Sequence, residues 1–198
     1  MPTIKAFRMD GLGNKFVIVD RRKDIVNITK EKIIHLGKLE SFHREIGFDQ
    51  IIFIEREIDK TFPITIFNSD GGEVSACGNG SRCVAYLLGK DLNTKEVKLK
   101  TNNRLLNAKI VGHLDVELAM GKPIFEWNKI PILKNLDHSN ITLNIEDKVF
   151  TDGFCLNVGN PHIIFFVKDC FAHDLKILVL KLKIINYFRK ELMLHLLK

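Results

Sequence analysis

The sequence predicts a globular fold of one or two domains in which short β-strands outnumber helices. The chain has 198 residues, enough to bury a core, and its 45% hydrophobic and 27% charged residues are the proportions of an ordinary soluble globular protein. Apolar and polar residues alternate over many short segments, which is the period of a half-buried strand. The longest apolar run, Cys83–Leu88, falls far short of the about 20 residues that span a bilayer. These observations exclude a disordered chain, a collagen-like chain and a disulfide scaffold, and they predict no membrane span.

The first part of the chain is predicted to form strands and one helix. A hairpin turns at Gly11-Leu12-Gly13-Asn14, because this segment separates two apolar runs. Thr29–Ser41 has apolar residues at helical spacing with Thr29 as the N-cap, although Gly37 is unfavourable inside a helix. The predicted strands of this part are residues 4–9, 16–19, 51–55 and 62–68.

The remainder is predicted to contain a second helix and further strands. Val84–Leu88 extends a helix that starts after Cys77. The predicted strands are residues 97–100, 105–111, 114–118, 143–150, 154–158 and 163–167. Gly121-Lys122-Pro123 marks a domain junction, because proline cannot continue a strand ladder. A second change in composition after Asp169 divides the chain into residues 1–121, residues 122–170 and an atypical tail, residues 171–198.

The tail has no glycine or proline and carries much of the positive charge. It holds five Lys and one Arg against two acidic residues, out of a net charge of +6 for the chain. Residues 175–182 have a helical spacing, whereas Leu180, Leu182 and Ile184 alternate with lysines as in a strand, so both structures remain open. We expect the tail to pack poorly and to expose an apolar, basic surface. Because most of the net positive charge lies in this one segment, we expect no nucleic-acid partner.

The cysteines and the N-terminus indicate a reducing compartment. The N-terminal residues lack the apolar segment of a secretory signal, so we expect a cytoplasmic location. No C-x-x-C pair occurs among the four cysteines, which argues against zinc. Each cysteine is then either a buried apolar residue or a reactive thiol.

Cys77-Gly78-Asn79-Gly80 is the segment that most clearly suggests a binding or catalytic role. It follows a predicted strand and starts a predicted helix, whose free N–H groups and dipole favour an anion such as a carboxylate. The same environment favours the thiolate of Cys77, and a thiolate beside a bound carboxylate suits proton abstraction at an amino acid α-carbon. The alternative is a buried structural cysteine beside a glycine turn. Cys83, further along the helix, is predicted to be a core residue.

Two other polar segments have equally open interpretations. Asn157–His162 interrupts two apolar strands, so that His162 is either a strand-end residue or a catalytic one. Gly11–Asn14 is either a hairpin turn or part of a ligand-binding loop. Residue spacing alone does not decide between these alternatives.

Taken together, these segments resemble the diaminopimelate epimerase family, whose members are cofactor-independent amino acid epimerases. The order and spacing of the motifs agree from residue 4 to about residue 170. The matching motifs are Met9–Phe16, Gly47–Gln50, Phe67–Glu73, Cys77–Cys83 and Gly159–His162. The Cys-Gly-Asn-Gly motif after Asn-x-Asp-Gly is specific, and it favours the catalytic interpretation of Cys77.

The resemblance implies an α+β fold of two similar domains, each with a mixed or antiparallel sheet wrapped around a central helix. Residues 1–121 correspond to a complete first domain, and residues 122–170 to an incomplete second one. The implied activity is the interconversion of LL- and meso-diaminopimelate by proton transfer between two cysteines. The resemblance implies a small-molecule substrate, a homodimer, and neither pyridoxal phosphate nor any other cofactor or metal.

The resemblance also implies roles for individual residues. Cys77 matches one of the two catalytic cysteines, and His162 matches a residue that helps to set thiol protonation. Gly78 and Asn79 match the loop that holds the substrate α-carboxylate. The other matches are positions that contact the substrate: Asn14, Gln50, Asn68 and Asn160.

The chain departs from the family pattern after Cys170. The second catalytic cysteine of the family lies in a later glycine-rich motif, and nothing in these 198 residues matches it. We therefore expect little or no epimerase activity, and we hypothesise that the tail is the product of a shifted reading frame. The alternatives are an inactive truncated remnant and an amino-acid-binding module without turnover.

Overall fold

The computed structural model of the chain describes residues 5–24, 26–38, 40–41, 44–45, 47–130, 132–133, 136–145, 147–182 and 193–198. It divides into two compact units, Met1–Met120 and Gly121–Lys198, and each has a hydrophobic core of its own. Within the described residues, no helix is long and apolar enough to cross a membrane.

The first unit is built on one mixed sheet. The strands, in order across it, are β1 (Ala6–Gly11), β2 (Asn14–Asp20), β5 (Gln50–Ile54), β6 (Phe62–Asn68), β8 (Glu96–Lys100), β9 (Leu105–Gly112) and β10 (Asp115–Ala119). The pairs β2–β5 and β6–β8 are parallel, and the other neighbours are antiparallel. A short strand, β7 (Glu73–Val74), also pairs with β6, and β3 (Glu40–Ser41) pairs with β4 (Arg44–Glu45) outside this sheet.

The sheet wraps around a buried helix, α2 (Gly78–Leu92). This helix contacts both edge strands, β1 and β10, as well as β2, β5, β8 and β9. Its residues Val84, Ala85 and Leu88 are at most 1% exposed, because they pack into the main core of the unit. The helix ends at Leu92 and is capped by Asn93, which has a left-handed backbone and donates its N–H to the Gly89 carbonyl. This arrangement confirms the α+β class and the sheet around a central helix.

The β1–β2 hairpin confirms the prediction for the N-terminus. Gly11 pairs with Asn14, so Leu12 and Gly13 form the two-residue turn. Both turn residues have positive φ, +50° and +86°, which matches the right-handed twist of the flanking strands. The turn brings Asn14 back to the start of β2.

Helix α1 (Lys30–Gly37) is shorter than predicted. It begins as expected, because the Thr29 side chain accepts a hydrogen bond from the Lys32 N–H. The predicted extension to Ser41 is wrong, because the helix ends at Gly37 and β3 follows. Gly37 packs closely on a loop: a Cβ added there would lie 2.8 Å from the Cβ of Ser69.

The second unit contains a smaller sheet. Its strands, in order, are β11 (Ile141–Ile145), β12 (Lys148–Asn157), β13 (Pro161–Phe166) and β14 (Met193–Leu197). The prediction of one strand over residues 143–150 is wrong, because Asp147 lies in a turn there. Leu143 and Phe150 instead face each other across the β11–β12 hairpin, so both apolar residues reach the same core.

The tail contains both kinds of element. A 3₁₀ turn at Cys170–Ala172 precedes α3 (Leu175–Leu182), and β14 adds to β13 in parallel. The helical alternative is thus correct for residues 175–182, and Ile184 lies outside the described residues. The expectation of poor packing is wrong for Leu178, which is 5% exposed in the core, whereas Phe171 is 93% exposed.

We predict that Gly80→Ala destabilises the first unit. A Cβ at this position would lie 2.5 Å from the Ile52 Cδ1 and 3.2 Å from the Phe16 Cε1, both in the core. Overpacking of this kind costs about 1–3 kcal/mol of the free energy of unfolding. Urea denaturation followed by circular dichroism measures the change. Gly112→Ala is the control, because its nearest neighbour is the Asp115 side chain at 3.3 Å; equal losses in the two variants would contradict the prediction.

Candidate active site at the N-terminus of α2

The N-terminus of α2 is capped by a thiol. Cys77 has an extended backbone, and its carbonyl accepts the first helical hydrogen bond from the Ser81 N–H at 2.9 Å. Its Sγ accepts a hydrogen bond from the Gly80 N–H at 3.3 Å. The N–H groups of the first turn of a helix have no partner within the helix, and the dipole adds positive potential there. Cys77 therefore lies directly before Gly78 and Asn79, where the first turn of the helix offers N–H donors and a positive potential.

Polar side chains collect at one edge of the sheet in the same unit. Phe16 pairs with Gln50, and Gln50 pairs with Asn68, so the start of β2, the start of β5 and the end of β6 share this edge. The Gln50 Nε2 donates to the Asn68 Oδ1 at 2.9 Å. The Gln50 Oε1 is buried and has no hydrogen-bond partner in the described part of the chain. A buried acceptor of this kind is costly unless a ligand donates to it.

One hydrogen bond joins this edge to the helix. The Asn79 Nδ2 donates to the Asn14 Oδ1 at 3.0 Å. The Asn14 Nδ2 in turn donates to the Asp49 Oδ2 at 3.4 Å, and the Arg82 guanidinium donates to the Asn79 Oδ1 at 2.5 Å. The first unit thus holds six of the predicted site residues, in two groups tied by the Asn14–Asn79 bond: Asn14, Gln50, Asn68, Cys77, Gly78 and Asn79.

The Cys77 thiol does not have the predicted acidity. Burial raises its pKa above the ordinary value, while the N–H groups of Gly80 and Asn79 and the charge of Arg82 act in the opposite direction. The helix terminus does lower the pKa of the thiol, as predicted, but the net shift is upward, so the prediction of a favoured thiolate is wrong. Burial, which local sequence does not display, is the larger effect.

The other cysteines lie elsewhere. Cys83 is 6% exposed in the core, as predicted, and burial raises its pKa. Cys83 lies six positions after Cys77, a rise of about 9 Å along the helix, which is too far for a disulfide. Cys155 is fully buried in β12, which raises its pKa to about 12. Cys170 is partly exposed in the 3₁₀ turn.

Asn160 and His162 belong to the second unit. The His162 Nδ1 lies 2.7 Å from the His195 Nε2, and the two rings stack with centroids 5.0 Å apart. Burial, together with the charge of His195, lowers the pKa of His162. Its Nε2 is buried without a hydrogen-bond partner among the described residues. Beside it, the Asn160 Nδ2 donates to the Met193 Sδ at 2.9 Å.

Three ionisable residues that contact the predicted site residues were not assigned a role by the sequence analysis. Asp49 and Arg82 lie inside motifs that carry the family resemblance, so the sequence offered a signal for them. His195 lies in the tail, where no motif pointed to it. Among the described residues, no group of three or more His, Cys, Asp and Glu side chains is placed to hold a metal ion.

Solved structures share this fold at low sequence identity. A hydroxyproline epimerase from Agrobacterium vitis, with bound trans-4-hydroxy-L-proline, has a TM-score of 0.55 and 15% identity, over 83% of this chain and 52% of that one. A phenazine biosynthesis protein of the PhzF family from Enterococcus faecalis has a TM-score of 0.51 and 13% identity, over 85% of this chain and 58% of that one. At such identities the likeness concerns the fold alone.

Curated relatives match much more closely in sequence. Diaminopimelate epimerase from Pelagibacter ubique (strain HTCC1062) is 47% identical over 176 residues, which are 87% of this chain and 63% of that protein. Diaminopimelate epimerase from Wolbachia sp. subsp. Brugia malayi is 35% identical over 189 residues, 93% of this chain and 68% of that protein. The chain thus spans less than the full length of the relatives it matches. The model of the family described as diaminopimelate epimerase matches residues 6–126, the part of the chain that contains β1 to β10 and the cysteine-capped helix. The chain belongs to the diaminopimelate epimerase family.

Proposed function

We propose that the chain acts on diaminopimelate and that Cys77 exchanges the proton at the α-carbon, one half of the interconversion of LL- and meso-diaminopimelate. The observation that carries this proposal is the position of the Cys77 thiol as the N-cap of α2, with its Sγ hydrogen-bonded to the Gly80 N–H. A thiol there is adjacent to a natural binding place for a carboxylate. The family membership supplies the substrate.

The N-terminus of α2 would hold the substrate α-carboxylate. The backbone N–H groups of Gly78 and Asn79 belong to the first turn of the helix, where donors lack helical partners. Removal of the α-proton builds negative charge on the α-carbon and the adjoining carboxylate. Donors already aimed at that charge stabilise it without reorganisation, which is the part that a cofactor plays in other racemases. The dipole of α2 acts in the same direction.

The raised pKa of Cys77 is compatible with the role of a base. A thiolate with a higher pKa accepts a proton more strongly, although a smaller fraction of the protein carries it at neutral pH. The N–H groups of Gly80 and Asn79 limit that rise, as does Arg82. The orphaned Oε1 of Gln50 would accept a hydrogen bond from an ammonium group of the substrate. Asn68 and Asn160 are the further proposed contacts.

Inversion needs a second proton donor on the opposite face of the α-carbon. The 198 residues contain a single Cys-Gly-x-Gly motif. Cys155 cannot deliver a proton to a ligand, because it is fully buried in a strand and its pKa is raised to about 12. We therefore propose that the 198-residue chain exchanges the α-proton but inverts the α-carbon slowly. His162 is proposed as a residue that helps to set thiol protonation.

A second candidate function is binding of an amino acid without turnover. It is favoured by one observation, the burial that raises the pKa of the Cys77 thiol and so reduces the thiolate at neutral pH.

Cytoplasmic location and a homodimer stay predictions, and sedimentation of the purified chain would test the dimer.

We predict deuterium incorporation at the α-carbon. Diaminopimelate incubated with the protein in D₂O should gain deuterium, as observed by proton NMR. The thiolate takes the α-proton to become a thiol, the thiol exchanges that proton with D₂O, and it then returns a deuteron to the α-carbon. Cys77→Ser should lose this activity by about 10²–10⁴-fold, the usual contribution of a general base. Cys170→Ser, a partly exposed cysteine in the second unit, is the matched control and should retain it. If Cys77→Ser still exchanges the α-proton, Cys77 is not the base. If the wild-type protein binds diaminopimelate without exchange, the amino-acid-binding function is favoured.

We predict slow conversion of the LL to the meso isomer. The rate should lie about 10²–10⁴-fold below that of the Pelagibacter relative assayed in parallel, because one general acid is lacking. Chiral chromatography of the products measures the conversion. A rate equal to that of the relative, abolished by Cys77→Ser, would show that the 198 residues suffice for epimerisation.

We predict that alkylation of Cys77 rises with pH and has its midpoint above that of an ordinary cysteine. The thiolate is the reactive form, and burial raises the pKa of this thiol, so a higher pH is needed to form it. Iodoacetamide labelling in a Cys170→Ser background, followed by peptide mass spectrometry, gives the profile. Arg82→Gln should move the midpoint further up because a nearby cation is removed. A midpoint at or below about pH 8.5, the value of an ordinary cysteine, would contradict the dominant effect of burial.

A further inference from the structure

We propose that Asp49 and Arg82 are positioning residues that together fix the orientation of the Asn14 and Asn79 side-chain amides, so that both present N–H donors to an anion at the N-terminus of α2. The part of this inference that concerns the anion rests on the proposed function. The orientation of the amides does not, and it can be tested on the ligand-free protein.

The four side chains form a continuous hydrogen-bonded chain, which we call the amide chain: Asp49, Asn14, Asn79 and Arg82. It has a carboxylate at one end and a guanidinium at the other, with two neutral amides between them. The joining distances are 3.4 Å from the Asn14 Nδ2 to the Asp49 Oδ2, 3.0 Å from the Asn79 Nδ2 to the Asn14 Oδ1, and 2.5 Å from Arg82 to the Asn79 Oδ1.

The charged ends determine which way each amide faces. The two ends of an asparagine amide are nearly identical in shape but opposite in hydrogen bonding. A carboxylate only accepts, so it requires the nitrogen of Asn14, and a guanidinium only donates, so it requires the oxygen of Asn79. Turning either amide over would replace two hydrogen bonds by two like-to-like contacts. One arrangement therefore satisfies the whole chain.

Both ends are held in place by the fold. The Asp49 Oδ2 also accepts the Lys15 backbone N–H at 2.8 Å, and the Asp49 backbone N–H donates to the Lys15 carbonyl at 2.8 Å. Arg82 lies on α2, next to the fully buried Ser81 and the nearly buried Cys83. The carboxylate is thus fixed to the sheet and the guanidinium to the helix, and the amides span the gap between these two elements.

The orientation has a consequence for ligands. Each amide nitrogen carries two hydrogens, and the amide chain uses one hydrogen of each. Each carbonyl oxygen already accepts one hydrogen bond within the chain, and the hydrogen that remains on each nitrogen can be donated to an acceptor such as a carboxylate. The positive charge of Arg82, at the helix end of the chain, disfavours an ammonium group there. Asp49 and Arg82 would act through the amides, as neither needs to touch the substrate.

Solvent-exchange NMR of the side-chain amide protons tests the orientation, using protein labelled with ¹⁵N-asparagine. We expect Asp49→Asn to accelerate exchange of the Asn79 amide proton about tenfold, although Asp49 bonds to Asn14. An amide at position 49 can present either its oxygen or its nitrogen, so it no longer fixes the orientation of the two amides in the chain. Arg82→Gln should do the same to the Asn14 amide proton, and Arg82→Lys, which keeps a cationic donor, should restore protection. Asp115→Asn on β10 is the control and should change neither.

Acceleration confined to the amide next to each substitution, or absent altogether, would overturn the proposal. If one of the Asp49 and Arg82 variants fails to fold, the other still reports on the distant amide. A second arm measures protection of Cys77 from alkylation by diaminopimelate, which should need about tenfold more ligand in Asp49→Asn. If diaminopimelate does not protect even the wild-type thiol, the proposed function fails, while the NMR result still decides the orientation.

Discussion

The unpaired N–H groups at the N-terminus of α2 are the constraint on which the rest of the first unit depends. A helix enclosed by a sheet cannot leave these donors without partners at low cost. Cys77 caps one of them through its Sγ, and the cap itself is half-buried. Capping and the proposed chemistry therefore meet at one side chain. The Asn79 N–H, which lowers the pKa of the thiol, is also one of the two backbone donors that would hold a carboxylate.

The sheet supplies the second part of the site by the register of its strands. Because Gln50 pairs with both Phe16 and Asn68, three strand ends share one edge. The side chains at this edge are amides rather than charged groups, which can donate and accept without a large desolvation penalty. For Asn14, we propose that the charged residues at the ends of the amide chain fix the orientation of the amide. A rigid sheet and a rigid helix thus hold short, neutral side chains in one arrangement.

Sequence patterns predicted most of the local structure, and the missing parts depend on long-range packing. Alternation and glycine turns located the β1–β2 hairpin, and Thr29 marked the start of α1. Periodicity could not separate β11 from β12, because Leu143 and Phe150 are both apolar and face one core. The motif around Cys77 identified the thiol of interest. The direction in which its pKa shifts depends on burial by residues distant in sequence. The link between Asp49 and Arg82 likewise exists only once the sheet and the helix are in place.

We propose that a substrate carboxylate binds at the first turn of α2 beside residue 77. A crystal structure of the Cys77→Ser variant with diaminopimelate tests it most directly, since serine keeps the N-cap while removing the thiol. We expect a carboxylate oxygen within hydrogen-bond distance of the Gly78 and Asn79 backbone N–H groups, with the α-carbon facing the residue 77 side chain. A ligand bound elsewhere, or one with an ammonium group at the helix terminus, would contradict it.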